Sequence, residues 1–194
     1  VDDAARDLGK VRNAILHRYA GDVFFRVIYT ESHDEVANGK ARIAAEIAPG
    51  NADSYFAKKR STLGAAVTLT APGIPMLFQG QEFLEDRWFA DTDPLDWSLV
   101  AKHPGILALY RDLIPLRRNL HGNTAGLCGQ HAAVTHLNND PKIIVWQRWQ
   151  AGAEQQKVVV VANFANQPWA EYRIGLPHPG QWQVRFNSDW NGYD

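Results

Sequence analysis

The chain has 194 residues, of which 45% are hydrophobic and 21% charged, and its formal net charge is −1. That is ordinary globular composition, which argues against disorder, and the absence of any basic run excludes a phosphate-gripping nucleic-acid surface. No apolar stretch approaches the roughly 20 residues needed to cross a bilayer, so neither a nucleic acid nor a membrane is expected as a partner. The single cysteine, Cys128, excludes an internal disulfide and a cysteine-based metal cluster; it fits a reducing compartment, and a cytoplasmic location is expected. The start, Val1-Asp2-Asp3, has no basic and no apolar region of the signal-peptide kind and reads as a chain entered partway.

Residues 4–19 set Leu8, Val11, Ile15 and Tyr19 on one helical face, with Gly21 placed to end the helix. Val23 to Tyr29 is a β-branched and aromatic run of strand length. It breaks off into Glu31-Ser32-His33-Asp34-Glu35 and then a polar loop with Asn38-Gly39 and Pro49-Gly50 as turn signals. Asp53 or Ser54 can cap a helix running to about Thr70, with Tyr55, Leu63, Ala66 and Val67 as burial candidates. Pro72-Gly73 stops it, and residues 74–78 read as a second buried strand closing on Gln79-Gly80-Gln81-Glu82. Segment 83–103 lacks periodicity and is rich in acidic and aromatic residues, the texture of a functional loop. Pro104 suits the first turn of a helix that buries Ile106, Leu109, Tyr110 and Leu113, and Pro115 predicts a kink or an early end.

Beyond about residue 130 the pattern changes to strand-like runs at 131–137, 142–149, 157–163, 168–174 and 181–187, separated by turn residues. The expected class is therefore α/β plus all-β, with a boundary in the glycine-bearing stretch between Arg118 and Gln130, that is, residues 1–120 and 121–194. Two strands cannot form a stable parallel sheet alone, so the first part calls for further strands.

Polar residues at the C-terminal ends of strands are the usual catalytic positions in βα-barrels. Tyr29-Thr30-Glu31-Ser32-His33-Asp34-Glu35-Val36 resembles the fourth sequence region of the α-amylase superfamily (glycoside hydrolase family 13). Gly73 to Phe83 is similar to that family's eighth-strand segment. Pro94-Leu95-Asp96-Trp97, the helix 104–118, Val160 to Phe164 and Tyr172 to Pro177 look like those of α-1,4-glucan branching enzymes. The resemblance implies the last two βα units of a (β/α)8 barrel followed by an antiparallel β-sandwich, with more of the sandwich expected beyond Asp194. It implies a retaining enzyme acting on α-1,4-glucosidic bonds of starch or glycogen, either of branching or of amylase type.

By the same resemblance Asp34 is the transition-state-stabilising aspartate and His33 hydrogen-bonds sugar hydroxyls beside it. Two carboxylates about 5 Å apart are the minimum for retention, and no segment corresponds to the strands that carry the nucleophile and the acid. The chain by itself is thus expected to be inactive and to pair with the rest of the barrel or self-associate. Taken alone, without the flanking matches, Asp34 reads first as a loop carboxylate that caps a turn or forms a surface ion pair; Glu35 is either groove-lining or a structural ion pair, and Glu82 leans to a structural role. Trp88 and Trp97 are candidate glucan contacts, whereas Trp146, Trp149, Trp169 and Trp182 read as packing residues. No cofactor or metal is called for, since His-Glu-x-x-His is absent. The alternative from a different class is a non-catalytic carbohydrate-binding β-domain.

Overall fold

A computed structural model describes residues 3–193. They form two compact packing units that interleave along the chain, one from residues up to 26, 70–74 and 116–183, the other from residues 27–69, 75–115 and 184 onward.

In the first unit, helix α1 (Leu8–Leu16) starts where the Asp7 side chain accepts the Gly9 N–H, at 2.8 Å. It ends at Leu16, short of the expected Tyr19, because Ala20 and Gly21 take positive φ values of 49° and 79° in a turn closed by Asp22 N–H to Tyr19 C=O. Leu8 and Ile15 are its buried face. Three strands follow later in the chain, β3 (His131–Asn138), β4 (Ile143–Trp149) and β5 (Val158–Asn163), paired antiparallel in that order. The register sets His131 opposite Trp149 and Ile143 opposite Asn163, with a bulge between Val134 and His136. Side chains alternate between faces: Ile144, Trp146 and Arg148 are fully or almost fully buried, on the face that includes Val134 and Val160. Helix α1 packs against β3 and β4. Lys142 fixes the entry to α1 by donating to the carbonyls of Ala4 and Arg6 at 3.1 and 2.9 Å.

The same unit contains an unusual set of cations. Arg148 donates to the carbonyls of Thr70, Leu127 and Gly129, Arg117 to those of Ala71 and Gly73, and Arg26 to those of Pro72, Ala14 and Ile15. Four successive carbonyls, residues 70–73, are thereby capped by three buried guanidinium groups. Thr70 is the last residue of α4, where a helix end leaves carbonyls unpaired and carries partial negative charge, and residues 71–73 continue the chain beyond it. Burial lowers the pKa of all three; for Arg148, burial first and then the neighbouring Arg117 bring it down to about 9.

In the second unit the chain runs through β1 (Val27–Ile28), α2 (His33–Ala37), α3 (Ile43–Ile47) and α4 (Tyr55–Thr70), all but the last residue of α4 lying within it. Strand β2 (Ile74–Pro75) pairs with β1, and Met76 donates its N–H to the Ile28 carbonyl at 2.9 Å. Helix α5 (Ser98–Lys102) and helix α6 (Pro104–Arg117), the latter as far as Pro115, complete it. The core joins Ala57, Ala65 and Leu69 of α4 to Ile106, Leu109, Tyr110 and Leu113 of α6. Tyr193 joins this core too, and its hydroxyl bonds to the Asp112 carboxylate.

Several expected elements change form. The run 23–29 opens as a 3-10 turn, Val23–Phe25, because the Asp22 side chain caps the Phe24 N–H, and only Val27–Ile28 is strand. Helix α4 buries Ala57, Ser61, Thr62, Ala65, Thr68 and Leu69, a face of mostly small side chains; of the expected residues Ala66 packs against the core, Leu63 and Val67 are half-buried and Tyr55 is exposed. A Cβ on Gly64 would stand 3.0 Å from the Thr30 methyl. Helix α6 runs two residues past Pro115. Segments 168–174 and 181–187 hold no assigned strand among the described residues, so the structure contains one three-stranded sheet where a sandwich was expected. Tyr172 and Ile174 keep the alternation of a strand without a ladder partner.

Candidate functional site

The site grows from the end of β1. Glu31 is buried, and its carboxylate accepts from Arg42 Nε and Nη2 at 3.2 and 3.0 Å and from the Ile43 N–H at 2.6 Å. Arg42 also donates to the Gln79 carbonyl at 2.9 Å, and its guanidinium lies 4.3 Å from the Phe78 ring centroid. This brace holds together the segments that follow β1 and β2. Gln81 adds a second tie, donating to the Thr30 hydroxyl at 2.6 Å.

Ser32 then turns the chain into α2 by accepting the Glu35 N–H on its hydroxyl, at 3.3 Å. His33 and Asp34 therefore stand on the first turn of a short helix, where a polar loop was expected. Both project into solvent, with side chains 61% and 78% exposed, and His33 Nε2 is 3.1 Å from Asp34 Oδ1. Aromatic rings flank the pair: Phe78 and Phe89 have centroids 6.5 and 6.3 Å from that of His33. Trp88 is pinned to the same helix, its indole N–H donating to the Val36 carbonyl at 2.7 Å while most of its ring stays exposed. Glu35 forms an ion pair with Lys40 at 3.1 Å.

The structure thus gathers His33, Asp34, Glu35 and Trp88. Trp97 packs instead on Phe83, with centroids 5.3 Å apart, at the entry to α5. Phe78 and Phe89 escape a reading by residue chemistry, although Phe89 directly follows Trp88 and Phe78 closes an apolar run. Glu85 is the carboxylate that organises the long segment: it takes two bonds from the Arg87 guanidinium, at 2.8 and 3.0 Å, and the Asp96 N–H at 2.7 Å. Burial alone would raise its pKa, but the bonds from Arg87 and from the backbone of Asp96 and Arg87 outweigh burial and hold it down at about 2. A separate pocket of about 240 Å³ lies between Ala52, Leu84, Leu99 and His103 and is edged by the Asp53–Lys102 ion pair. Among the described residues, no group of three or more acidic, histidine or cysteine side chains could hold a metal.

Chemically, the arrangement offers one exposed carboxylate beside an imidazole, on a rim with aromatic faces. That is a surface suited to the hydroxyl-and-ring-face chemistry of a sugar, on a chain that pairs an αβ unit with an antiparallel sheet. Comparisons agree with this class. The family model described as Alpha amylase, C-terminal all-beta domain matches residues 134–194. A 1,4-alpha-glucan branching enzyme GlgB of Rhodopseudomonas palustris is 34% identical over 166 residues, covering 84% of this chain and 23% of that protein. The one from a Bradyrhizobium sp. is 33% identical over 205 aligned positions, covering 98% of this chain and 28% of its own length. In fold, the chain is similar to a crystal structure of pullulanase complexed with maltotetraose from Anoxybacillus sp. LM18-11, with a TM-score of 0.61 at 20% identity, covering 88% of this chain and 27% of that one.

The chain belongs to the α-amylase superfamily. Within it, the sequence likeness is to 1,4-alpha-glucan branching enzymes, and the chain spans about a quarter of the length of the curated relatives it matches.

Proposed function

We propose that this chain is part of a retaining α-glucan-active enzyme of the branching type, acting on α-1,4-glucosidic bonds of starch- or glycogen-like polymers. Residues 1–120 are assigned to the C-terminal part of a (β/α)8 catalytic barrel and residues 121–194 to its C-terminal β-domain. Asp34 stabilises the positive charge that develops on the sugar ring, His33 hydrogen-bonds a hydroxyl of the same ring, and Glu35 and Trp88 line the approach.

The observation that carries this reading is the exposed His33–Asp34 pair, held on a capped helix at the end of β1 and flanked by Phe78, Phe89 and Trp88. A stabilising aspartate must reach a sugar ring, and the Asp34 side chain, paired with His33, is 78% exposed. The neighbouring carboxylates are engaged: Glu31 by Arg42 and the Ile43 N–H, Glu35 by Lys40. Retention needs a second and a third group, because a nucleophile and an acid must flank the scissile bond about 5 Å apart. These are assigned to the remainder of the parent enzyme, so the chain alone is inactive.

The test uses the parent enzyme with amylose as substrate. Asp34→Asn is expected to lower kcat by on the order of 10³ with a small change in KM, since the carboxylate acts in the transition state. Undiminished turnover by Asp34→Asn would defeat the assignment. Product analysis separates the two activities: new α-1,6 linkages support branching, and short linear sugars without them support an amylase-type hydrolase.

A further inference from the structure

The pocket of about 240 Å³ in the second packing unit shares no residue with the His33–Asp34 rim. Its apolar wall is built from Ala52, Leu84 and Leu99. Beside them lies His103, which ends α5 and directly precedes Pro104 at the start of α6. The backbone of His103 is fully used: its N–H donates to the Leu99 carbonyl at 2.8 Å, and its carbonyl accepts from the Leu107 N–H at 3.3 Å. The ring is not. His103 is only 4% exposed, yet neither ring nitrogen has a hydrogen-bond partner among the described residues, and neither is sealed from solvent. Since His103 lines the pocket, the pocket is where those nitrogens open.

A buried polar group left unpaired is unfavourable, and a ligand that pairs it relieves that penalty on binding. Burial first, then Lys102 and Lys58, lower the His103 pKa against the opposing pull of Asp53 and Asp86. The ring is therefore neutral at pH 7 and offers one donor and one acceptor. The rim of the pocket is charged. Asp53 and Lys102 neutralise one another at 2.6 Å. That leaves Asp86, exposed and without an ion pair among the described residues, as one uncompensated negative charge on the lining.

We infer that this pocket binds a small organic monocation, an apolar body with an ammonium group at one end and a hydroxyl at the other. The ammonium pairs with Asp86, the body lies on Ala52, Leu84 and Leu99, and the hydroxyl exchanges a hydrogen bond with His103. At roughly 30 Å³ per water the pocket holds the equivalent of about eight waters, room for a ligand of about ten non-hydrogen atoms. An anionic ligand would meet two carboxylates and a lysine already engaged by one of them. A metal ion would find no group of three or more ligating side chains among the described residues. A purely apolar molecule would leave the imidazole unpaired. A neutral polyol would satisfy the imidazole but set its other hydroxyls against Ala52 and Leu84 and leave Asp86 without a counter-charge.

Tyramine tests the site, added to the whole isotope-labelled chain while the His103 ring resonances are followed by NMR. Beside it run phenethylamine, which lacks the hydroxyl, 4-hydroxyphenylacetate, which carries a carboxylate in place of the ammonium, and glucose. Tyramine is expected to shift the His103 resonances saturably, phenethylamine to bind about fivefold more weakly, and the other two to give no saturable shift. Asp86→Asn is expected to weaken tyramine binding about threefold. Because Asp86 is exposed, that replacement should leave the thermal unfolding midpoint in place. No saturable shift with either amine overturns the site, and so does tyramine binding that Asp86→Asn leaves unchanged. Binding of 4-hydroxyphenylacetate or glucose as tight as that of tyramine overturns the choice of a cation. Equal affinity for the two amines overturns the role given to His103.

Discussion

Burying a carboxylate is tolerated only where hydrogen bonds and a counter-charge replace its water. Glu31 and Glu85 meet that condition in different ways. Glu31 holds Arg42 and a backbone N–H inside the brace behind the site, whereas Glu85 gathers Arg87 and the Asp96 N–H in the segment after it. The low pKa of Glu85, about 2, has a consequence for stability. An acid whose pKa is lower folded than unfolded adds stability that is complete above its ordinary value of 4.5 and is lost as pH falls towards about 2. Glu85→Gln is therefore expected to destabilise the fold by about 2 kcal/mol at pH 7. The penalty should shrink at pH 3, where the native carboxylate is losing its advantage. Urea unfolding followed by tryptophan fluorescence at both pH values measures this, and an equal penalty at each would separate the effect from ionisation.

At the scale of elements, the guanidinium cap on carbonyls 70–73 explains how a helix end can be buried. Lysine could not replace arginine here, because Arg148 reaches Thr70 on one nitrogen and both Leu127 and Gly129 on the other. Arg148→Lys is expected to cost about 2–3 kcal/mol, since at least one buried carbonyl loses its donor. A thermal or urea midpoint within error of the parent chain would show that the cap is dispensable. No pattern in the sequence announces this cap: its donors lie at positions 26, 117 and 148 and its acceptors at 70–73. What was legible is what periodicity encodes. Leu8 and Ile15 of α1 and the 106, 109, 110 and 113 face of α6 emerge as buried, and the run 142–149 contains strand β4. The failures are contests that local pattern cannot settle. The Asp22 cap overrode the β-branched run at Val23, and Tyr55 at the start of α4 stays exposed while Ala57 beside it is buried. The site divides the same way. His33 and Asp34 are visible as a motif, while Phe78, Phe89 and the Glu31–Arg42 brace appear only once β1 and β2 lie side by side. Trp169, which reads from sequence as packing, is in fact exposed, because the segment 168–174 finds no ladder partner to bury it.

At the scale of the whole chain, the two packing units are each stitched from separate stretches of sequence, so neither is a simple run of residues. Strand β1 is two residues long and, among the described residues, pairs with β2 alone, yet Val27 on it is half exposed and Tyr29 just beyond it is also exposed. A short parallel pair with apolar edge residues open to water is a surface that another strand can extend. In the proposed parent enzyme the rest of the barrel takes that place. For the chain alone, a second copy is the available partner, and concentration-dependent self-association follows from the same exposed groups. Light scattering across a hundredfold dilution series should give an apparent mass that rises with concentration, and Val27→Lys should lower it by placing a charge on the edge. A single-chain mass at every concentration would mean that β1 is adequately covered as it stands. Addition of the separately produced barrel remainder sharpens the test, because heterologous pairing should suppress self-association by competing for the same edge, whereas an unrelated aggregation surface would leave the mass unchanged.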